Sequence, residues 1–393
     1  MAVGLLQACA PSGPAVQPGL RGPVAPPVAA GPQRIRIGLM LPLSGRQASL
    51  GRALAQAAQA AFIETGSERV ELIQRDSAGT PEGAARAAAE LAADNVAIVV
   101  GPLLAAEVRA AAPSLRVAGI PMVSLSSDRG AAEPGVYVTG LLPEDQVRAG
   151  FSFVRTAGAQ RVAVLGADDA SGRAFADAAR LVGSELAIDV TRVGLYPPSA
   201  DPSGALAQVM RTDAPQRGQP VPAPGPSFDT LLLTDAGQRL RVLGEAFATA
   251  GVDPGTLRLL GPSLWAAEPL LLSEPALAGA LFPAPDEQAW DALATRLALA
   301  FGPRPPRLSL IAYDAMALAV QAARRAPARP VPVDILVAPE GFTGATGRIR
   351  LLPDGRSQRE MRLYQAAPGG LRNLGPAPFD APVAGLALAA RRG

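Results

Sequence analysis

The 393-residue chain carries 36 basic and 34 acidic side chains, a net charge of +2, no His and a single Cys. No Lys occurs either, so every basic residue is Arg; this excludes a P-loop lysine, a pyridoxal Schiff base, a Ser-His-Asp triad, an HExxH zinc helix, a Cys-ligated metal site and an intramolecular disulfide. With near-neutral charge and no long basic run, nucleic acid is not an expected partner, and no metal or cofactor is expected.

The chain opens on a short apolar run that ends at Cys9. Leu6, Gln7, Ala8 and Cys9 look like a bacterial lipobox, so residues 1–9 are read as a partial lipoprotein signal with Cys9 as the lipidated residue. A basic n-region and most of an apolar h-region are missing, which points to an upstream start or a truncation. Ala10 after the Cys, rather than Asp, favours the outer membrane by resemblance to sorted lipoproteins. Residues 10–33 are rich in Pro, Gly and Ala with little charge, the composition of a stiff tether that cannot supply a core. Residues 377–393 read as a flexible tail. No run of about 18 apolar residues follows, so no transmembrane helix is predicted.

Residues 35–41 are β-branched and apolar and end in the turn Pro42, Leu43, Ser44, Gly45. Leu54, Ala57, Ala58, Ala61 and Phe62 then recur at helical spacing, with Gly66 as the stop. The unit repeats: a strand at 70–76, a helix over 81–94, a strand at 96–100, a helix over 105–117, and strands at 120–124 and 135–139. A second series brings strands at 161–165, 188–193, 229–234 and 257–261, with helices over 172–186 and after Thr234. Alternation of this kind predicts parallel sheets with helices on both faces, and two series predict two doubly wound lobes. Residues 215–226 form a Pro-rich loop inside the second lobe. A late helix over 308–323 ends in Arg324 and Arg325, cations suited to a helix C-terminus.

In open parallel sheets ligands lie beyond the carboxyl ends of the strands. The loops at those ends hold Ser44, Asp76, Gly101, Ala105, Ser126, Ser127, Asp128, Asp168, Asp169, Ser171, Asp235 and Ser263. Gly101 leads into a helix N-terminus, whose amides and dipole favour an anion. The carboxylate pairs Asp168 with Asp169 and Glu144 with Asp145 read as solvated or capping groups, Asp169 as the cap of the helix near Gly172, and no catalysis is expected. Trp265 and Trp290 read as packing.

These residues together resemble the type 1 periplasmic solute-binding family, in the branch of branched-chain amino-acid receptors. Residues 37–45 with Ala48 and Gly51 look like its opening strand and loop. Residues 99–102, 119–124, 161–165 with Asp168, Asp169 and Gly172, and 341–347, 351–355 and 363–365 match later markers in order. The resemblance implies two Rossmann-like lobes joined by three crossovers, near 139–143, 281–285 and 342–348. Lobe one then takes about 34–140 and 284–341, and lobe two about 141–283 and 348–376.

Within that resemblance, several ligand positions differ. The aromatic that lies over the ligand is matched by Leu50, the Ser or Thr after the Gly-Pro loop by Ala105 and Ala106, the mid-lobe aromatic by Ser171, and the acidic ammonium anchor by Ser263. Asp128 or Asp235 could substitute for that anchor. The altered cleft, the lipobox, the tether and the loop Ser126, Ser127, Asp128, Arg129 give a nearer resemblance, to penicillin-binding-protein activator lipoproteins, although residues 10–33 cannot form the helical-repeat domain of the long activators. The expectation is a non-catalytic envelope lipoprotein that regulates a peptidoglycan synthase through protein contact; the alternative is a solute-binding protein that serves an ABC permease with an amino acid or similar small polar ligand.

Overall fold

The computed structural model describes residues 34–66, 69–211, 227–249, 257–326 and 329–379. The partial signal with Cys9, the tether, the Pro-rich loop at 215–226 and the tail beyond 379 therefore lie outside the described residues.

The first series builds β1 (Ile35–Leu41), α1 (Ala48–Thr65), β2 (Val70–Asp76), α2 (Pro81–Ala93), β3 (Ile98–Val100), α3 (Ala105–Val117), β4 (Met122–Ser124) and β5 (Val136–Val138). The strands form one parallel sheet in the order β2-β1-β3-β4-β5. Its central strands are apolar on both sides, as a sheet with helices on both faces requires. α2 begins at the Thr80 N-cap, whose side chain accepts from the Gly83 amide at 3.1 Å, with Pro81 at its first position.

The second series supplies α4 (Pro143–Thr156), β6 (Arg161–Ala167), α5 (Ala170–Leu186), β7 (Asp189–Tyr196), α6 (Ser203–Val209), β8 (Thr230–Leu233), α7 (Gln238–Thr249), β9 (Arg258–Leu260), α8 (Leu270–Ser273) and β10 (Leu281–Ala284). The chain then returns to pack α9 (Glu287–Phe301) and α10 (Ser309–Arg325) against the first sheet, followed by α11 (Val333–Leu336). α10 is apolar around nearly its whole circumference and is buried accordingly. A small antiparallel ribbon, β11 (Phe342–Thr343), β12 (Arg348–Leu351) and β13 (Ser357–Arg359), precedes the antiparallel pair β14 (Arg362–Ala367) and β15 (Gly370–Pro376). That pair completes the second sheet, in the order β15-β14-β10-β9-β8-β6-β7.

The molecule is thus an α/β protein of two doubly wound lobes with three crossovers. Each lobe has its own core: Trp290 is buried with α1, α9 and α10, and Trp265 with β8, β9 and β10. The first crossover leaves the carboxyl end of β5, and the second leaves the carboxyl end of β10, which runs parallel to β9. Both sheets consequently turn their carboxyl edges toward the crossovers. At the first of these, a Cβ on Gly140 would lie 2.7 Å from the Ser126 carbonyl oxygen and the Ser127 nitrogen, so only glycine lets the chain pass this close. Arg129 of the first lobe pairs with Glu144 of α4 at 3.2 Å across the same point.

Buried charge joins the pieces at the crossovers. Asp314 of α10 and Arg359 of β13 form an ion pair with both side chains almost fully buried. The other Asp314 oxygen accepts the Ala345 amide at 2.6 Å. Asp145 of α4 accepts the Arg359 amide at 3.2 Å, and Arg148 of the same helix pairs with Glu185 of α5 at 2.5 Å.

Candidate ligand cleft between the lobes

On the first lobe's wall the loops are held from beneath by carboxylates. Asp76, at the end of β2, accepts the amides of Ala78 at 2.7 Å, Leu43 at 2.8 Å and Ser44 at 3.3 Å. Burial works against its charge, but the hydrogen bonds from the Ser44 side chain and from these amides outweigh it and hold the carboxyl below its ordinary value. Ser44 itself is exposed, on a loop whose shape Asp76 fixes. Glu107, in the first turn of α3, is fully buried; one oxygen accepts the Leu104 amide at 2.9 Å, and burial raises its pKa.

Gly101 sits at φ +94, and a Cβ there would lie 1.9 Å from the Met40 carbonyl oxygen. The β3 to α3 turn therefore needs glycine. Beyond it, Ala105 is half-buried against the first lobe's core and offers no hydroxyl. Hydroxyls are instead used to stitch neighbouring loops together. Ser124 Oγ donates to the Pro102 carbonyl at 3.1 Å and accepts the Ser126 amide at 3.0 Å, and the buried Ser126 Oγ accepts the Asp128 amide at 3.1 Å. Ser127 is exposed. Asp128 accepts the Gly130 amide at 2.8 Å and pairs with Arg109 at 2.7 Å.

On the second lobe's wall Asp235, just past β8, is the centre of a polar cluster. Its side chain accepts the Tyr196 hydroxyl at 2.7 Å and Arg239 Nη1 at 3.2 Å, and its backbone carbonyl accepts Trp265 Nε1 at 2.8 Å. Arg239 also reaches Asp169 at 3.5 Å. Burial raises the Asp235 pKa in spite of Tyr196 and Arg239, and burial together with the Asp235 contact pushes the Tyr196 phenol up. Asp169 caps α5 by accepting the Gly172 amide at 2.9 Å, and Asp168 pairs with Arg173 at 2.6 Å. Ser171 is exposed in the first turn of α5. Ser263 is buried: its amide donates to Gln146 Oε1 and its hydroxyl to the Pro283 carbonyl, both at 2.7 Å.

The fold thus places Ser44, Gly101, Ala105, Ser126, Ser127 and Asp128 at the carboxyl edge of the first sheet, and Asp235 and Ser263 at that of the second. Two expectations change in detail. Leu50, at the position matched to the family's ligand-covering aromatic, is half-buried and packs against the first lobe's core. Asp128 and Asp235, expected as substitutes for an ammonium anchor, are each already engaged by an arginine. Tyr196, Arg239, Gln146 and Glu107 were not singled out by sequence. Arg239 lies one helical turn after Asp235, a spacing that could have flagged the pair; nothing local marks Tyr196. A cavity of about 340 Å³ lined by Arg52, Gln56, Phe301 and Arg304 is walled by α1, α9 and the following loop, with no residue of the second lobe, and is separate from the cleft. Among the described residues no helix is long and apolar enough to cross a membrane, and no group of acidic side chains could hold a metal ion.

Comparison with known proteins agrees with this architecture. The structure of a putative branched-chain amino-acid ABC transporter protein from Rhodospirillum rubrum superposes with a TM-score of 0.73 at 19% identity, covering 87% of this chain and all of that one. A branched-chain amino-acid transporter substrate-binding protein from Streptococcus pneumoniae, in complex with isoleucine, matches with a TM-score of 0.57 at 17% identity over 88% and 100% of the two chains. A solute-binding protein from R. palustris, in complex with benzoate, matches with a TM-score of 0.57 at 17% identity over 89% and 98%. At these identities the likeness is one of fold. No curated protein matches the chain. A family model described as periplasmic binding protein matches residues 34–370, and the chain belongs to that family.

Proposed function

We propose that this protein is a solute-binding protein that captures a small polar ligand between its lobes and delivers it to an ABC permease. The observation that carries the reading is a chain that crosses between two sheets from the carboxyl ends of β5 and β10, so that strand-end loops of both lobes lie beside the crossovers, where ligands of such folds bind. Related proteins of this fold support it, since one was solved with isoleucine and another with benzoate. No enzymatic role is assigned. Lipidation of Cys9, with residues 10–33 as tether, would hold the protein at the membrane on the periplasmic side.

Regulation of a peptidoglycan synthase becomes the second reading. Its support is the altered cleft together with the lipobox and the tether, yet the changed cleft positions equally describe a receptor for a different solute, a lipid anchor suits a solute-binding protein as well, and none of the relatives named above is a synthase activator. Thermal unfolding of the chain from residue 34, against amino acids and small carboxylates, tests the choice. A ligand at about 100 times its Kd adds about 2.7 kcal/mol of stability. A flat panel, with no change in the radius of gyration by X-ray scattering, would refute solute binding and turn attention to synthase pull-downs.

A further inference from the structure

Building on the solute-binding reading, we propose that Arg239 is a built-in cation occupying the place in the second lobe where a ligand's ammonium would sit, so that the cleft selects carboxylates lacking an ammonium group. A cationic group approaching the carboxyl edge of the second sheet would meet Asp169 after β6 and Asp235 after β8. Arg239 Nη1 already lies between them, 3.5 Å from Asp169 and 3.2 Å from Asp235. The other Asp235 oxygen is taken by Tyr196 at 2.7 Å. Arg239 stands in the first turn of α7, where the helix dipole disfavours a cation, so its position depends on these carboxylates.

The remaining strand-end carboxylates are also engaged. Asp76 holds three backbone amides, Asp128 holds Arg109, and Asp168 holds Arg173. A ligand ammonium would have to displace a guanidinium or go without a counter-charge, and an unpaired cation in a closed cleft is strongly disfavoured. A carboxylate meets the reverse situation. Arg239 is a cation whose side chain is 39% exposed, so a carboxylate entering from solvent can meet its guanidinium.

The test is calorimetric titration of wild type, Arg239→Gln and Arg239→Lys with matched pairs: leucine against 4-methylpentanoate, and phenylalanine against 3-phenylpropanoate. Wild type should bind the des-amino member of the preferred pair at least about tenfold more tightly. Arg239→Lys, which keeps a cation, should retain that preference, whereas Arg239→Gln should bring the two members within about threefold. Because each comparison is a ratio within one protein, partial loss of folded material does not alter it. Equal or tighter binding of the amino acid by wild type, or a ratio unmoved in Arg239→Gln, overturns the role of Arg239 and leaves solute binding standing. A wild type silent toward all four compounds overturns both.

Discussion

Removing Asp314 should destabilise the protein more than any exposed ion pair would. Its side chain is 0% exposed and that of its partner Arg359 is 2% exposed. Asp314→Ala deletes that ion pair and the bond to the Ala345 amide, and it strands a buried guanidinium whose Nε and Nη2 already lack partners among the described residues. Breaking a buried pair from one side costs about 3–5 kcal/mol, a large part of the roughly 5–15 kcal/mol that holds a typical domain folded. With a urea m-value of about 3 kcal/mol/M, the midpoint should fall by about 1–1.7 M. Trp290 in one core and Trp265 in the other report both lobes by fluorescence. The double variant Asp314→Leu/Arg359→Met removes both charges and should recover most of the loss. A single-variant cost below about 1 kcal/mol, or a double variant worse than either single, would refute the reasoning.

Other outcomes follow from the same structure. Burial and the charge of Glu144 push Asp145 up to about 7, against Arg148 and Arg359. Because the folded value lies above the ordinary value of 3.8, the protonated group's stabilisation is fully present below about pH 4 and is lost as pH rises toward 7. The stability of wild type relative to Asp145→Asn should therefore decline over that window in urea titrations; a constant difference would count against it. Asp76 has the opposite sign: its lowered pKa gives stability present above the ordinary value of 3.8 and lost as pH falls through the folded value. Asp76→Ala should cost about 2 kcal/mol at neutral pH by removing a carboxylate that three backbone amides share, a loss that shrinks in acid. Gly101→Ala should cost at least about 3 kcal/mol from strain and overlap with Met40, whereas Gly135→Ala, also at positive φ but with open space around it, should cost about 1 kcal/mol; similar melting temperatures for the two would contradict the close-approach argument.

Sequence by itself determined the alternation of strands and helices, the two series and the loops at the strand ends, because these depend on periodicities within about a dozen residues. It also located the cap at Asp169 and the glycine turn at Gly101, which are local backbone chemistry. Element limits moved where tertiary pairing extended them: the strand expected over 188–193 runs from Asp189 to Tyr196 along β6, which carries the Tyr196 hydroxyl to the cleft edge. The antiparallel edge of β14 and β15 depends on pairing with β10, far away in sequence. Only the folded structure decided which candidates are engaged. Tyr196 reaches Asp235 across 39 residues and Arg359 reaches Asp314 across 45, and no local pattern encodes such meetings. An acidic residue at a strand end is visible in the sequence; whether it faces a ligand or an arginine of its own chain is set by long-range packing, since the partner comes close only once the chain has folded.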